Sequence, residues 1–409
     1  MTFEFLLKCL GEMIKKLLQN LRYPVVAIFA IIASGCRDEA GPVDFAQRSG
    51  PAAQNVSAVA FADEEPVYER PAEDRLNRTA KQAFLKASTS RNPIELESLV
   101  VPVKMVKKGS AIKSEPPLLP LRHTKTKLVE FENAPFPYHG INPSTGRPFL
   151  DVSDGGRRGH RTSSGEVYWE DKTYGDSRVL MHIPRGFDLR RPALMVIFLH
   201  GHGATLQRDV VDRQRVPEQV SEAGVNAVLV APQLASNAAD SSAGKLWQPG
   251  GFQRFLDEAS VELANAHGDP RSKSYFDKMP IVIVAYSGGY MTAASCIRHG
   301  GVGSRVRGIV LLDALYGDMD TFANWISSRD KAFFLSAYAN STRARNTELA
   351  SMLKGHDVNV GTKLKGPLRG GSVTFIATSP ETEHRDFVTK AWAHHPIKDL
   401  LQRLRVEAR

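Results

Sequence analysis

IVIVAYSGGYMTAA, residues 281–294, is the stretch whose reading decides the fold. Its first half is an unbroken apolar, β-branched run, the composition of a strand covered on both faces. Its second half, from Tyr290, has the makings of a helix, and Ala285, Tyr286, Ser287, Gly288 and Gly289 leave room only for a sharp turn between the two. A strand entering a helix in this way is the repeating unit of an α/β sheet. Such a turn lifts the Ser287 hydroxyl above the sheet, and the residues two before and two after it must be small because they approach each other. It also sets the Gly288 N–H at a helix start, where an unpaired donor and the helix dipole favour developing negative charge.

The same apolar pattern recurs on either side. ALMVIFL (193–199) and VNAVLVA (225–231) precede the central stretch, and VRGIVLL (306–312), AFFLSAY (332–338) and SVTFIAT (372–378) follow it. The intervals are long enough to hold helices, with candidates at 252–266, 290–298 and 342–353, so right-handed crossovers predict a mostly parallel central sheet with helices on both faces. Upstream, the aromatic and turn residues of PFPYHGINPSTGRPF (135–149) place the start of the folded domain between 128 and 149, giving a domain over 128–409. Two short strands at 165–169 and 178–183, turning at 172–176, predict an antiparallel opening hairpin.

Chemistry-bearing residues cluster at the ends of these runs. VIFLHGHGA (196–204) ends a strand in His200, Gly201, His202 and Gly203; GIVLLDALYGD (308–318) ends one in Asp313, with Asp318 and Asp320 beyond; SPETEHRDF (379–387) puts His384 in a polar loop after the last strand. His394 and His395 follow within a predicted C-terminal helix. Taken in order, these motifs resemble the α/β-hydrolases: 285–289 resembles their nucleophile elbow, with Ala285 where Gly is usual, and 200–203 resembles their oxyanion loop. The resemblance spans about 165–409 and implies an α/β-hydrolase fold and a serine hydrolase, carboxylesterase-like in its preference for esters over amides. It implies Ser287 as nucleophile, His384 as general base, and amides of Gly288 and of His202 or Gly203 as oxyanion donors. The acid of the family usually follows one strand later, but 332–346 offers none; Asp313 is the first choice and Asp318 the second. This chemistry needs no metal or organic cofactor. Substrate identity does not travel with a fold.

The loop 232–252 follows a strand and carries an isolated Trp247, so it is expected to rim the site with Tyr286 and Tyr316. Two other functions compete. His200 and His202 form an H-x-H pair that a metal-dependent hydrolase could use, and an envelope protein could keep the cleft for ligand binding without catalysis.

The remaining composition bears on location. The chain has 409 residues, 42% hydrophobic and 24% charged, with a formal charge of +9. That charge suits an anionic envelope, and because Lys and Arg are scattered without a recognition motif, nucleic acid is not an expected partner. Lys15, Lys16 and Arg22 precede an apolar run at 23–32, too short to span a bilayer comfortably but suited to the core of a signal peptide. It ends in Ala33, Ser34, Gly35 and Cys36, which resembles a bacterial lipobox; Ala33 stands where Leu is usual, and a start at Met13 would give a more ordinary leader. Residues 1–36 are therefore expected to be a lipoprotein-like signal peptide acylated at Cys36. Residues 37–127, rich in Ala, Pro, Ser, Lys and Glu, are expected to be a disordered tether. Three cysteines, at 9, 36 and 296, are too few for a disulfide framework. The expected product is an exported hydrolase, lipid-anchored on the periplasmic side of a bacterial envelope or secreted.

Overall fold

A computed structural model describes residues 119–404 of the chain, so the expectations for residues 1–36 and for most of the tether lie outside the described residues. The strands are β1 (Lys125–Glu130), β2 (Ile141–Asn142), β3 (Arg147–Pro148), β4 (Val152–Asp154), β5 (Arg157–Arg161), β6 (Val167–Trp169), β7 (Arg178–Ile183), β8 (Leu194–Leu199), β9 (Ala227–Pro232), β10 (Ile281–Tyr286), β11 (Val306–Leu312), β12 (Phe333–Tyr338), β13 (Val360–Gly361) and β14 (Val373–Ala377). The main helices are α1 (Val216–Glu222), α2 (Gly251–His267), α3 (Tyr290–His299), α4 (Met319–Ser327), α5 (Arg343–Gly355) and α6 (Pro396–Arg403).

Nine strands make one sheet in the order β1-β7-β9-β8-β10-β11-β12-β14-β13. Only β7 runs against the others, pairing antiparallel with β1 and β9. The large, mostly parallel sheet with helices is the architecture that the apolar runs predict.

Each central strand alternates its side chains between two separate cores, which is how a period-2 apolar run gets covered on both sides. From β8, Met195, Ile197 and Leu199 join one core and Val196 and Phe198 the other; β10 divides in the same way. The first core is closed by α2 through α5. Helix α2 contributes Phe252, Phe255, Leu256, Ala259 and Leu263, the i, i+3, i+4, i+7, i+11 stripe of an amphipathic helix. It stops at Gly268, whose φ of 90° is the left-handed cap that glycine adopts without penalty. The second core is closed by α1 and α6, through Val216, Val220, Ile397, Leu400 and Leu401. No helix among the described residues is long and apolar enough to cross a membrane.

Two N-terminal expectations and one C-terminal expectation need correction. The first strand starts at Lys125, inside the segment read as tether, because pairing with β7 organises a sequence whose exposed side chains show little apolar pattern of their own. The segments at 165–169 and 178–183 both form strands, yet they are no hairpin: β6 pairs with β5 in a small three-stranded sheet, while β7 enters the main sheet. At the other end His395 caps α6 from outside, in left-handed backbone, and His394 precedes it, because Pro396 suits the first helical position.

The small sheets β2–β3 and β4–β5–β6 cover a third cluster of Phe136, Tyr138, Phe149 and Tyr174 with Ala235 and Ala238. The last two lie on the loop after β9. The Tyr174 hydroxyl donates to Asp240 (2.9 Å) on that loop, and the Ala239 N–H donates to the Tyr168 hydroxyl (3.2 Å). The N-terminal layer thus fixes the loop leading to Ser241.

Candidate active site

Ser287 sits between β10 and α3 with a φ of 52°, left-handed backbone that a non-glycine residue adopts only when its surroundings impose it. Those surroundings are tight. A Cβ on Gly289 would lie 2.5 Å from the Leu199 carbonyl oxygen, and one on Gly201 would lie 2.7 Å from the Ser287 Cβ. Glycine at both positions lets the ends of β8 and β10 close on each other, and the turn points the hydroxyl toward His384 at the strand ends.

A hydrogen-bonded line leads away from that hydroxyl. His384, in a short helical turn after β14, places Nε2 2.8 Å from Ser287 Oγ and Nδ1 2.6 Å from Asp313 Oδ2. Asp313, directly after β11, is fully buried, also has left-handed backbone (φ 43°), and donates its N–H to the Ala337 carbonyl (2.8 Å). Its carboxylate accepts three further bonds: from Ser341 Oγ (2.8 Å), Thr342 Oγ1 (2.5 Å) and the Ala339 N–H (3.3 Å). Burial pushes the Asp313 carboxyl upward, but the bonds from His384, Thr342, Ser341 and Ala339 outweigh it and hold the group below its ordinary value. A carboxylate facing Nδ1 requires the proton there, which leaves Nε2 as an acceptor for the serine proton.

The other sequence-predicted residues divide. Asp318, the alternative acid, is engaged by Arg298 (2.7 Å) at the start of α4. Tyr286 does not face substrate space as expected: its ring stacks on the His384 imidazole at 5.2 Å, and its hydroxyl donates to the His384 carbonyl (3.2 Å). Burial pushes that phenol up to about 12, so it stays a donor. Tyr316 is 39% exposed and meets His384 edge-on at 6.3 Å, a rim position. Trp247 is drawn into packing against Tyr138 and Phe149 rather than onto the rim; an isolated Trp in a loop gives no sequence signal for the aromatic cluster that takes it up.

The expected oxyanion donors also need one correction. The Gly203 N–H donates to the Ala238 carbonyl (2.8 Å), so it is engaged. The His202 N–H has no such partner among the described residues. The Gly288 N–H lies in the first helical turn, where no intrahelical acceptor exists. The His202 imidazole lies across Gly288, with Nε2 2.6 Å from Ser241 Oγ. Sequence reasoning missed Ser241, since nothing local distinguishes it within the run of small residues at 241–244.

His200 has no ring nitrogen to offer a metal. Nε2 accepts from the Leu234 N–H (2.9 Å) and lies 2.8 Å from the Gln233 amide, so Nδ1 carries the proton and donates to the Gly201 carbonyl (2.8 Å). Burial pulls its pKa down to about 4, and the neutral ring braces the loop carrying Gly201 and His202. Among the described residues no three His, Cys, Asp or Glu side chains are grouped to hold a metal ion. The H-x-H pair therefore has a structural role at His200.

No family model matches the chain, and no curated protein matches it. Solved structures do. An S-formylglutathione hydrolase from Agrobacterium tumefaciens is 11% identical over 62% of this chain and 98% of its own length, with a TM-score of 0.36. The feruloyl esterase module from Clostridium thermocellum is 13% identical over 70% and 95%, with a TM-score of 0.35. An uncharacterised protein from Capnocytophaga ochracea is 13% identical with a TM-score of 0.34, and the chain spans 63% of its length. Likeness at this level carries nothing about activity or substrate, which rest on the site alone.

Proposed function

We propose that this chain is a serine hydrolase that cleaves esters through an acyl-enzyme. The observation that carries the reading is the continuous line Ser287, His384, Asp313, with each hydrogen bond at 2.6–2.8 Å and the acid fully buried. His384 Nε2 takes the proton as Ser287 Oγ attacks the ester carbonyl carbon, and Asp313 stabilises the resulting imidazolium through Nδ1–H. The Gly288 and His202 amides stabilise the oxyanion. The imidazolium then gives its proton to the departing alkoxide. Water, deprotonated by the same imidazole, attacks the acyl carbon and releases acid and free Ser287.

The preference for esters over amides belongs to the resemblance described above. The setting comes from the N-terminal sequence instead: export and acylation at Cys36 from the lipobox-like ending at 33–36, and, from the composition of 37–127, a tether placing the site away from a membrane on the periplasmic side.

The test is fluorophosphonate labelling of the full chain, read by intact mass. One adduct on the wild type, with none on Ser287→Ala or His384→Ala, is the expected result. A folded wild type without an adduct would reject the preformed triad and favour a non-catalytic, ligand-binding cleft.

A further inference from the structure

The loop after β12, Ala339 to Thr342, carries no acid, yet it closes around the acid supplied by β11. Ser341 Oγ donates to Oδ2, the same Asp313 oxygen that faces His384 Nδ1, and Thr342 Oγ1 donates to Oδ1 beside the Ala339 N–H. Thr342 itself is fully buried. It is also the N-cap of α5, where a threonine hydroxyl ordinarily accepts from a free amide of the first turn. Here it makes no cap bond, although the Thr342 carbonyl still accepts the first intrahelical bond from the Asn346 N–H (3.0 Å). The hydroxyl has turned from the helix it begins toward the carboxylate.

We propose that Ser341 and Thr342 are positioning residues: their hydroxyls clamp the Asp313 carboxylate against His384 and set how strongly it holds the Nδ1 proton. This rests on the acyl-transfer reading for its consequence in activity, though the clamp itself can be observed separately. Each donated bond draws negative charge off the carboxylate. Removing both leaves a more basic acid that binds the imidazolium proton more tightly while being less fixed in direction. The titratable groups facing this pair are few. Tyr286 stacks on His384 from β10, Tyr316 meets it from the segment after β11, and His202 lies across the elbow after β8. Arg213, whose charge reaches Tyr286, approaches the neighbouring Arg385 carbonyl at 3.4 Å.

The experiment compares the full-length wild type with Ser341→Ala, Thr342→Val, the double variant, and Thr342→Ser as the restoring change. Because Thr342 makes no cap bond, its Val variant loses no capping interaction. The first readout is the low-field proton resonance of His384 Nδ1–H, assigned by its absence in His384→Gln and followed against pH. The second is the rate of fluorophosphonate labelling over the same range. We expect the inflection of both to move up by about half a pH unit in the double variant. The labelling plateau should fall about tenfold for each hydroxyl lost, and Thr342→Ser should behave as wild type.

A double variant with an unmoved resonance and inflection overturns the clamp, even if its plateau or melting temperature falls, since that pattern is packing alone. If the wild type takes no adduct, the acyl-transfer reading fails, and the resonance still decides the clamp.

Discussion

Replacing Asp313 by Asn tests the site by geometry rather than by deletion. The two side chains have the same shape, but one carboxylate oxygen becomes an NH2 group, and the surrounding donors choose which one. Oδ1 faces the Ala339 backbone N–H at 3.3 Å, a donor that cannot be reversed, together with the Thr342 hydroxyl. The amide oxygen must stay there. The NH2 group then falls at the Oδ2 position, 2.6 Å from His384 Nδ1, with Ser341 able to turn and accept. Two donors cannot face each other at that distance, so the imidazole moves its proton to Nε2, opposite Ser287 Oγ. A ring protonated there cannot take the serine proton. An acid-to-amide change with this tautomeric consequence lowers the rate about 10⁴-fold, equivalent to roughly 5.5 kcal/mol of transition-state stabilisation. The assay is the second-order rate of fluorophosphonate labelling at neutral pH, with a thermal melt to establish that Asp313→Asn folds. A folded variant reacting within tenfold of wild type would refute both the tautomer argument and the assignment of Asp313 as the acid.

Acid should weaken the fold through two histidines. Burial pulls both His182 and His200 down to about 4, against about 6.5 in the unfolded chain, so the folded protein binds fewer protons there. Their contribution is complete above pH 6.5 and lost as pH falls toward 4, by about 3 kcal/mol each at most; denaturant unfolding should show this decline, partly flattened in His182→Gln, and a constant stability from pH 7.5 to 4.5 would contradict it. For the proposed anchor, Cys36→Ser should abolish incorporation of labelled palmitate and release the chain from the membrane fraction, whereas undiminished incorporation would place the lipid elsewhere or remove it.

Much of this architecture was legible in one dimension because its signals are local. The apolar runs that became β8 through β12 and β14 report burial on both faces whatever their neighbours, and the glycines after Ser287 report a turn that larger residues would block. Asp313 and His384 could be nominated because the first stands directly after such a run and the second lies in the polar loop that follows the last one. Pairing, in contrast, was decided only in three dimensions. β6 and β7 are close in sequence and belong to different sheets, since β6 turned back on its neighbour β5 while β7 paired with β1 and β9 far along the chain, and β1 became a strand through β7 alone. The choice between Asp313 and Asp318 turned on which carboxylate the fold buries beside His384 and which it leaves for Arg298. Gly203 looked as fit an oxyanion donor as His202 until the loop after β9 placed the Ala238 carbonyl over its amide. The Ser341 and Thr342 hydroxyls gave no sign at all, because a serine and a threonine before a helix read as caps. Sequence determined which residues could do chemistry and the elements that carry them. Tertiary structure decided which donors and acceptors meet, because a hydrogen bond depends on a few tenths of an ångström between groups tens of residues apart.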